Sequence, residues 1–290
     1  TITPTGSVML TSRPYEGILT GLTSASTAGQ LFPYYSFEDN GNDLSGHGLN
    51  LTATSAAYSA TSKIGDKSGR FQGAGHFNIA HNDAFTASVG GGLRISFWYR
   101  VDTSPTASSV QGIITKGDFN GSTFNGEWGI FHNDDGSSGP DLYIVIKASG
   151  AAAQVLTSRS ISTGAWYFVD FGINNNAGTF FINLRGAFTA NDSGTITGGS
   201  VVADTSTDVR IGNNTAGAIL GATSKDVLVD GVSFSKDLTT STDTLYNSGN
   251  GIATSYDGTA LVSYLPNANE TLITGTYQVQ NTRNVYTAVD

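Results

Sequence analysis

TGAWYFVDFGINNNAGTFFINLRG (Thr163–Gly186) holds two apolar strands and the turn between them. In its first half Tyr167, Val169, Phe171 and Ile173 alternate with Trp166, Phe168, Asp170 and Gly172. Period two with one apolar face is how a sandwich strand buries its core. NNNAG (Asn174–Gly178) supplies the Asn and Gly that a tight hairpin turn needs. GLRISFWYRV (Gly92–Val101) repeats the pattern, with Leu93, Ile95, Phe97, Tyr99 and Val101 on one face and Arg94, Ser96, Trp98 and Arg100 on the other.

Outward from this hairpin the same rhythm continues. HFNIA (His76–Ala80), WGIFH (Trp128–His132), DLYIVIKA (Asp141–Ala148), DVRIG (Asp208–Gly212) and DVLVDGVSFS (Asp226–Ser235) read as strands between Asn/Asp/Gly/Ser clusters. TTSTDTLYNSG (Thr239–Gly249) is the exception. It offers Thr239 to Ser241 as N-caps and Gly249 as a stop, which predicts a single short helix. Residues 1–30 form a Thr/Ser/Gly-rich arm in which SVML and GILTGLTSAS are short strand candidates. Beyond residue 249 lies an extension with ALVSYLP (Ala260–Pro266) and TGTYQVQ (Thr274–Gln280). The expected architecture is all-β: a two-sheet antiparallel jelly roll over 31–249, flanked by the 1–30 arm and the 250–290 extension.

Composition agrees and excludes other classes. Only 13% of the 290 residues are charged, Gly numbers 37, and Thr, Ser and Asn are abundant while strong helix formers are scarce. The net charge of −9, with basic residues scattered singly, argues against nucleic acid as a partner. No apolar run approaches the roughly 20 residues of a membrane-spanning helix. With no Cys, disulfides, thiolate metal sites and Cys nucleophiles are excluded.

Five stretches in order resemble the concanavalin A-like jelly roll in its laminin-G-like form. They are Tyr34–Thr54, Gly65–Phe85, Leu93–Val101, Thr163–Gly186 and Lys225–Gly249, the last similar to the family's closing "iDdvriyn…LYn.g" run. The resemblance implies a calcium ion near the loop DNGNDLSG (Asp39–Gly46), helped by an Asp of the closing strand, here Asp230 in LVDGV. The loop itself offers oxygens from Asp39, Asn40, Asn42, Asp43 and Ser45, the hard donors that Ca²⁺ takes. The same residue types also make turns without metal.

The chemistry points away from catalysis. Glycosidases use paired carboxylates, and the four Glu (Glu16, Glu38, Glu127 and Glu270) lie far apart in sequence. His47, His76, His81 and His132 show no metal-spaced pair. For sugar binding, Phe119 and Phe124 in a polar loop are the candidate aromatic platform, whereas Trp98, Trp128 and Trp166 are expected in the sandwich. Two expectations follow. One is a non-enzymatic structural or adhesive protein of a virus particle, such as a bacteriophage capsid-decoration, tail or fibre component. Its partners would be other virion proteins or copies of itself. The other is a secreted or cell-surface lectin-like module that binds carbohydrate with Ca²⁺.

Overall fold

The computed structural model describes residues 8–11, 33–45, 48–103, 109–119, 123–134, 140–149, 154–213, 226–249, 261–264 and 270–274. Strands run in chain order as β1 (Val8–Thr11), β2 (Tyr34–Tyr35), β3 (Thr52–Thr54), β4 (Ala57–Ser59), β5 (Ser68–Gln72) and β6 (His76–Ile79). There follow β7 (Gly92–Thr103), β8 (Ser109–Phe119), β9 (Phe124–Asp134), β10 (Pro140–Ile146), β11 (Gln154–Ser160) and β12 (Trp166–Asn174). The remaining elements are β13 (Thr179–Gly186), β14 (Ala190–Thr195), β15 (Val209–Ile211), β16 (Asp226–Ser235), α1 (Thr242–Tyr246), β17 (Leu261–Tyr264) and β18 (Glu270–Thr274).

Two antiparallel sheets form the sandwich. One has eight strands in the order β14-β13-β12-β7-β16-β5-β4, with β2 also on β16. The other has seven, in the order β11-β10-β9-β8-β15-β6-β3. The hairpin read from sequence is β12 and β13, closed from Asn174 to Thr179. Strand β12 also lies on β7, so that Tyr167 faces Tyr99, Val169 faces Phe97, Phe171 faces Ile95 and Ile173 faces Leu93. These eight side chains are fully buried in the core, beside Trp128 and Ile130 of β9 and Leu142, Ile144 and Ile146 of β10. Burying such side chains contributes on the order of 1.5–3 kcal/mol each, which makes the alternation decisive for the fold.

The second face of the eight-stranded sheet is also covered. Trp98 and Phe168 join Ile64 and Leu245 in a separate apolar cluster under α1, with Trp166 and Tyr246 packed on it. The helix starts where the cap was expected, with the Thr244 amide donating to Ser241 Oγ at 3.1 Å. Beneath it Arg94 and Asp170 form a buried bidentate pair, Nε to Oδ1 at 2.8 Å and Nη2 to Oδ2 at 2.6 Å. Thr242 Oγ1 donates to the same carboxylate, Asn183 donates to Thr242, and Arg94 Nη1 reaches the Asp237 and Thr240 carbonyls. Every partner of this pair is therefore satisfied, which is the condition for burying charge.

Hairpin β8–β9 contains a close backbone approach. Gly117 and Gly126 face each other, and a Cβ on Gly126 would lie 2.2 Å from the Gly117 Cα. Both have φ near the upper edge of the region disfavoured for other residues, 147° and 146°.

A third sheet has the order β1-β18-β17. Strand β1 overlaps the SVML candidate at Val8–Leu10 and runs on to Thr11, β17 lies in ALVSYLP, and β18 ends at Thr274, where TGTYQVQ begins. GILTGLTSAS and residues 275–280 lie outside the described residues. No helix among the described residues is long and apolar enough to cross a membrane.

Candidate functional site

Strand β16 changes partner halfway along one edge. From Asp226 to Val229 it pairs with β5, and at Val232 and Ser233 it pairs with β2. Asp230 and Gly231 fall in the gap, where the ladder to β7 also shifts register. The segment before β5 fills this gap. The Lys63 and Ile64 amides each donate to Asp230 Oδ2 at 2.8 Å. Asp230 is fully buried, and its Oδ1 has no hydrogen-bond partner. Burial pushes this carboxyl up to about 8 against the amides that hold it down, and nearby Glu38 pushes it further. Trp98 stands directly opposite on β7, with its indole Nε1 also unpartnered. The Lys63 ammonium sits 4.6 Å above the Trp98 ring, and burial lowers its pKa.

Glu38 follows β2, and its charge acts on Asp230. Its carboxylate accepts from the Asp66 amide at 3.1 and 3.2 Å. Burial raises it, as does the charge of Asp66 and Asp39. Sequence reasoning placed Glu38 only among scattered Glu residues. Its position next to Asp39 in the candidate loop was the available signal.

The loop residues are placed as follows. Asp43 accepts four hydrogen bonds: Oδ1 from the Tyr34 amide, the Ser45 amide and Ser45 Oγ, and Oδ2 from the Leu49 amide. Its lone pairs thus hold β2 and the loop together, so a cation would have to displace backbone donors there. Asn40 and Asn42 form a local turn, the Asn42 amide donating to Asn40 Oδ1. Asp39 is exposed and 3.8 Å from Lys67. Asp230 meets the 63–64 amides, and its electrostatic neighbour on the loop side is Glu38. No group of three or more His, Asp or Glu side chains is gathered for a metal among the described residues. Among the described residues Asp230 Oδ1 is the one atom of the expected set that is buried and without a hydrogen-bond partner.

Phe119 and Phe124 pack against Phe131 and Val145. They are 5% and 3% exposed, so little ring surface is open to a sugar. Polar flanks suggested an open loop, but the two residues end the paired strands β8 and β9. Trp128 lies in the core with its indole donating to the Phe85 carbonyl, Trp98 is buried in the outer cluster, and Trp166 is half-buried.

A second charged cluster was missed from sequence. Lys116 and Glu127 are both fully buried, with Nζ 3.3 Å from Oε2. Glu127 Oε1 accepts from the Ala87 and Ser88 amides at 2.7 and 3.2 Å. Burial raises Glu127 despite the lysine and the amides. Lys236 donates to the Thr86 carbonyl, and burial lowers it to about 8.

No family model and no curated protein matches the chain. Solved structures do. The binding domain of Paraclostridial Mosquitocidal Protein 1 is similar with a TM-score of 0.55 and 14% identity, over 77% of this chain and 51% of that one. The binding domain of botulinum neurotoxin DC in complex with SialylT has a TM-score of 0.54 and 14% identity, over 77% and 52%. Botulinum neurotoxin type C, from work on cell entry dependent on two ganglioside molecules, has 0.53 and 15%, over 76% and 51%. The chain spans about half the length of these relatives. At this identity the likeness shows a shared β-sandwich fold.

Proposed function

We propose that this chain is a non-enzymatic recognition module whose sandwich binds glycans on behalf of a larger particle or cell surface. The observation that carries the reading is where its carboxylates point. Glu38, Asp43, Glu127 and Asp230 accept backbone amides, and Asp170 grips Arg94. Acid–base hydrolysis of a glycoside instead uses two carboxyl groups facing one bond. The likeness to binding domains, one bound to SialylT and one tied to gangliosides, supports glycans as the ligand class. A glycan array probed with the purified chain tests this. Selective binding to a related set of glycans is expected, and an array silent at micromolar protein would refute it.

The setting we favour is the surface of a virus particle, where the partners are other virion proteins or further copies. A Cys-free chain with few charges and abundant Thr, Ser, Gly and Asn suits that role. Terminase and portal genes beside its own gene are the expected context, whereas a secretion operon favours the lectin-like alternative. Calcium belongs to both readings. Asp230 Oδ1, with Glu38 and Asp39 beside the gap, is our candidate site. Calcium there raises the melting temperature of the wild type and leaves Asp230→Asn unchanged. Equal curves in calcium and in EDTA would remove the ion from the proposal.

A further inference from the structure

Lys116 and Glu127 meet because hairpin β8–β9 carries a bulge. Lys116 pairs with Trp128 and Gly117 with Gly126, so Glu127 is an extra residue on β9. Trp128 faces the core, and Lys116, opposite it, shares that face. Regular alternation would send Glu127 to the other side of the sheet. The bulge re-aims it towards Lys116, a use of bulges that recurs beside reactive groups. Both side chains are fully buried.

The atoms around this pair suit acyl transfer. Lys116 Nζ lies 3.3 Å from Glu127 Oε2, and Oε2 has no other partner among the described residues. Oε1 accepts the Ala87 and Ser88 amides at 2.7 and 3.2 Å. Two backbone donors on one carboxyl oxygen are what a tetrahedral oxyanion needs. Lys116 Nζ also donates to the Asp204 carbonyl and lies 3.8 Å from Asp204 Oδ1. An ammonium and a carboxylate in a dry site can exchange a proton and become amine and acid, because neutral groups cost less to bury. Burial raises Glu127 in that direction.

We propose that Lys116 and Glu127 join in an intramolecular amide bond once the chain has folded, closing hairpin β8–β9 covalently. The amine Nζ adds to Glu127 Cδ, and the negative charge gathers on Oε1 between its two amides. The Cδ–Oε2 bond then breaks. Oε2 keeps its own proton, takes one from Nζ directly or through Asp204 Oδ1, and leaves as water. One amine and one acid thus give one amide and one water. Fixed geometry of this kind is worth an effective molarity of about 10⁵–10⁸ M, and exclusion of water opposes the reverse step. The reaction occurs once per chain, without turnover, and stands whether or not the sandwich binds glycans. Once the bond has formed, Glu127 no longer titrates.

Mass spectrometry of the purified full chain, incubated near neutral pH until its mass is constant, tests this. The wild type is expected one water lighter than its sequence. A lysine-specific protease should leave it uncut after Lys116, and the missing water should map to the peptide that spans Lys116 and Glu127. Lys116→Arg and Glu127→Ala should each show the full mass of their sequence. Full mass in the folded wild type overturns the proposal, as does a water loss that persists in Lys116→Arg or maps elsewhere. A loss that mild alkali reverses also overturns it. A cyclic imide at an Asp-Gly step such as Asp230-Gly231 sheds one water too but reopens in alkali, whereas the amide does not.

Discussion

Asp230 is a carboxyl that the fold holds protonated near neutrality. Its value is raised from 3.8 to about 8, chiefly by burial. The unfolded chain releases that proton near pH 4, the folded chain only near pH 8. The stabilising contribution is therefore complete below about pH 4 and lost as the pH rises through about 8. Asp230→Asn keeps a neutral acceptor for the Lys63 and Ile64 amides and should flatten the fall in melting temperature between pH 5 and pH 8. An unchanged pH slope in that variant would assign the slope to other groups. Asp43 behaves differently because its oxygens already hold four donors. Asp43→Ala should cost about 2–4 kcal/mol in EDTA as well as in calcium, since buried amides lose their acceptor. Urea unfolding in both media measures it, and a loss confined to calcium would make Asp43 a metal ligand instead.

At the scale of elements, α1 and the chain leading to it are docked by the Arg94–Asp170 pair. Arg94→Ala leaves Asp170 buried and unpaired and should destabilise by about 3–5 kcal/mol. The double variant Arg94→Met with Asp170→Leu should recover most of that loss, because no charge is left stranded. A double as unstable as the single would mean that the pair is needed for geometry beyond charge balance. This pair also marks how far the sequence could be read. The inward alternation of β7 and β12 was legible because Leu, Ile, Val, Phe and Tyr recur at every second residue. The outward residues of the same strands, Arg94 and Asp170, look like solvent-facing polar positions, and only their mutual contact buries them. Strand β8 escaped notice for a related reason: Gln111, Thr115 and Lys116 are buried polar residues that break the apolar alternation. Strand β14, ANDSGT, reads as a turn and is a strand only because β13 offers it an edge. Of the candidate site, some residues could be named from sequence. Asp230 and the 39–45 loop were picked out, but the change of partner along β16, which brings Glu38 to Asp230, is a tertiary event without a local signature.

For the whole molecule the buried ionisable groups act in sequence along the pH axis. Glu38, Glu127 and Asp230 all have raised values, so each adds stability at low pH that is lost as the pH rises. Lys63 and Lys236 have lowered values, Lys236 down to about 8 from 10.5. Above about pH 8 Lys236 is neutral when folded while the unfolded chain still binds its proton, so stability recovers as the pH rises from 8 towards 10.5. From these groups the expected curve of stability against pH is highest at about pH 4 and below, falls to a minimum near 8 and recovers above it. Urea midpoints collected from pH 4 to pH 10 check it, and a maximum at pH 7–8 would mean that these groups do not govern stability.

The facing glycines of β8 and β9 bear on how the chain reaches this state. A hairpin with eleven-residue arms could close in several alignments, and a slip of two residues would keep every side chain on its correct face. Only one alignment brings Gly117 against Gly126. A slip of two sets Gly117 against Phe124 or Trp128 and Gly126 against Thr115 or Phe119, which blocks the narrow crossing. The two residues work as a key and its slot during closure, and a substitution at either should show itself first as slow or mispaired folding, before any loss of recognition.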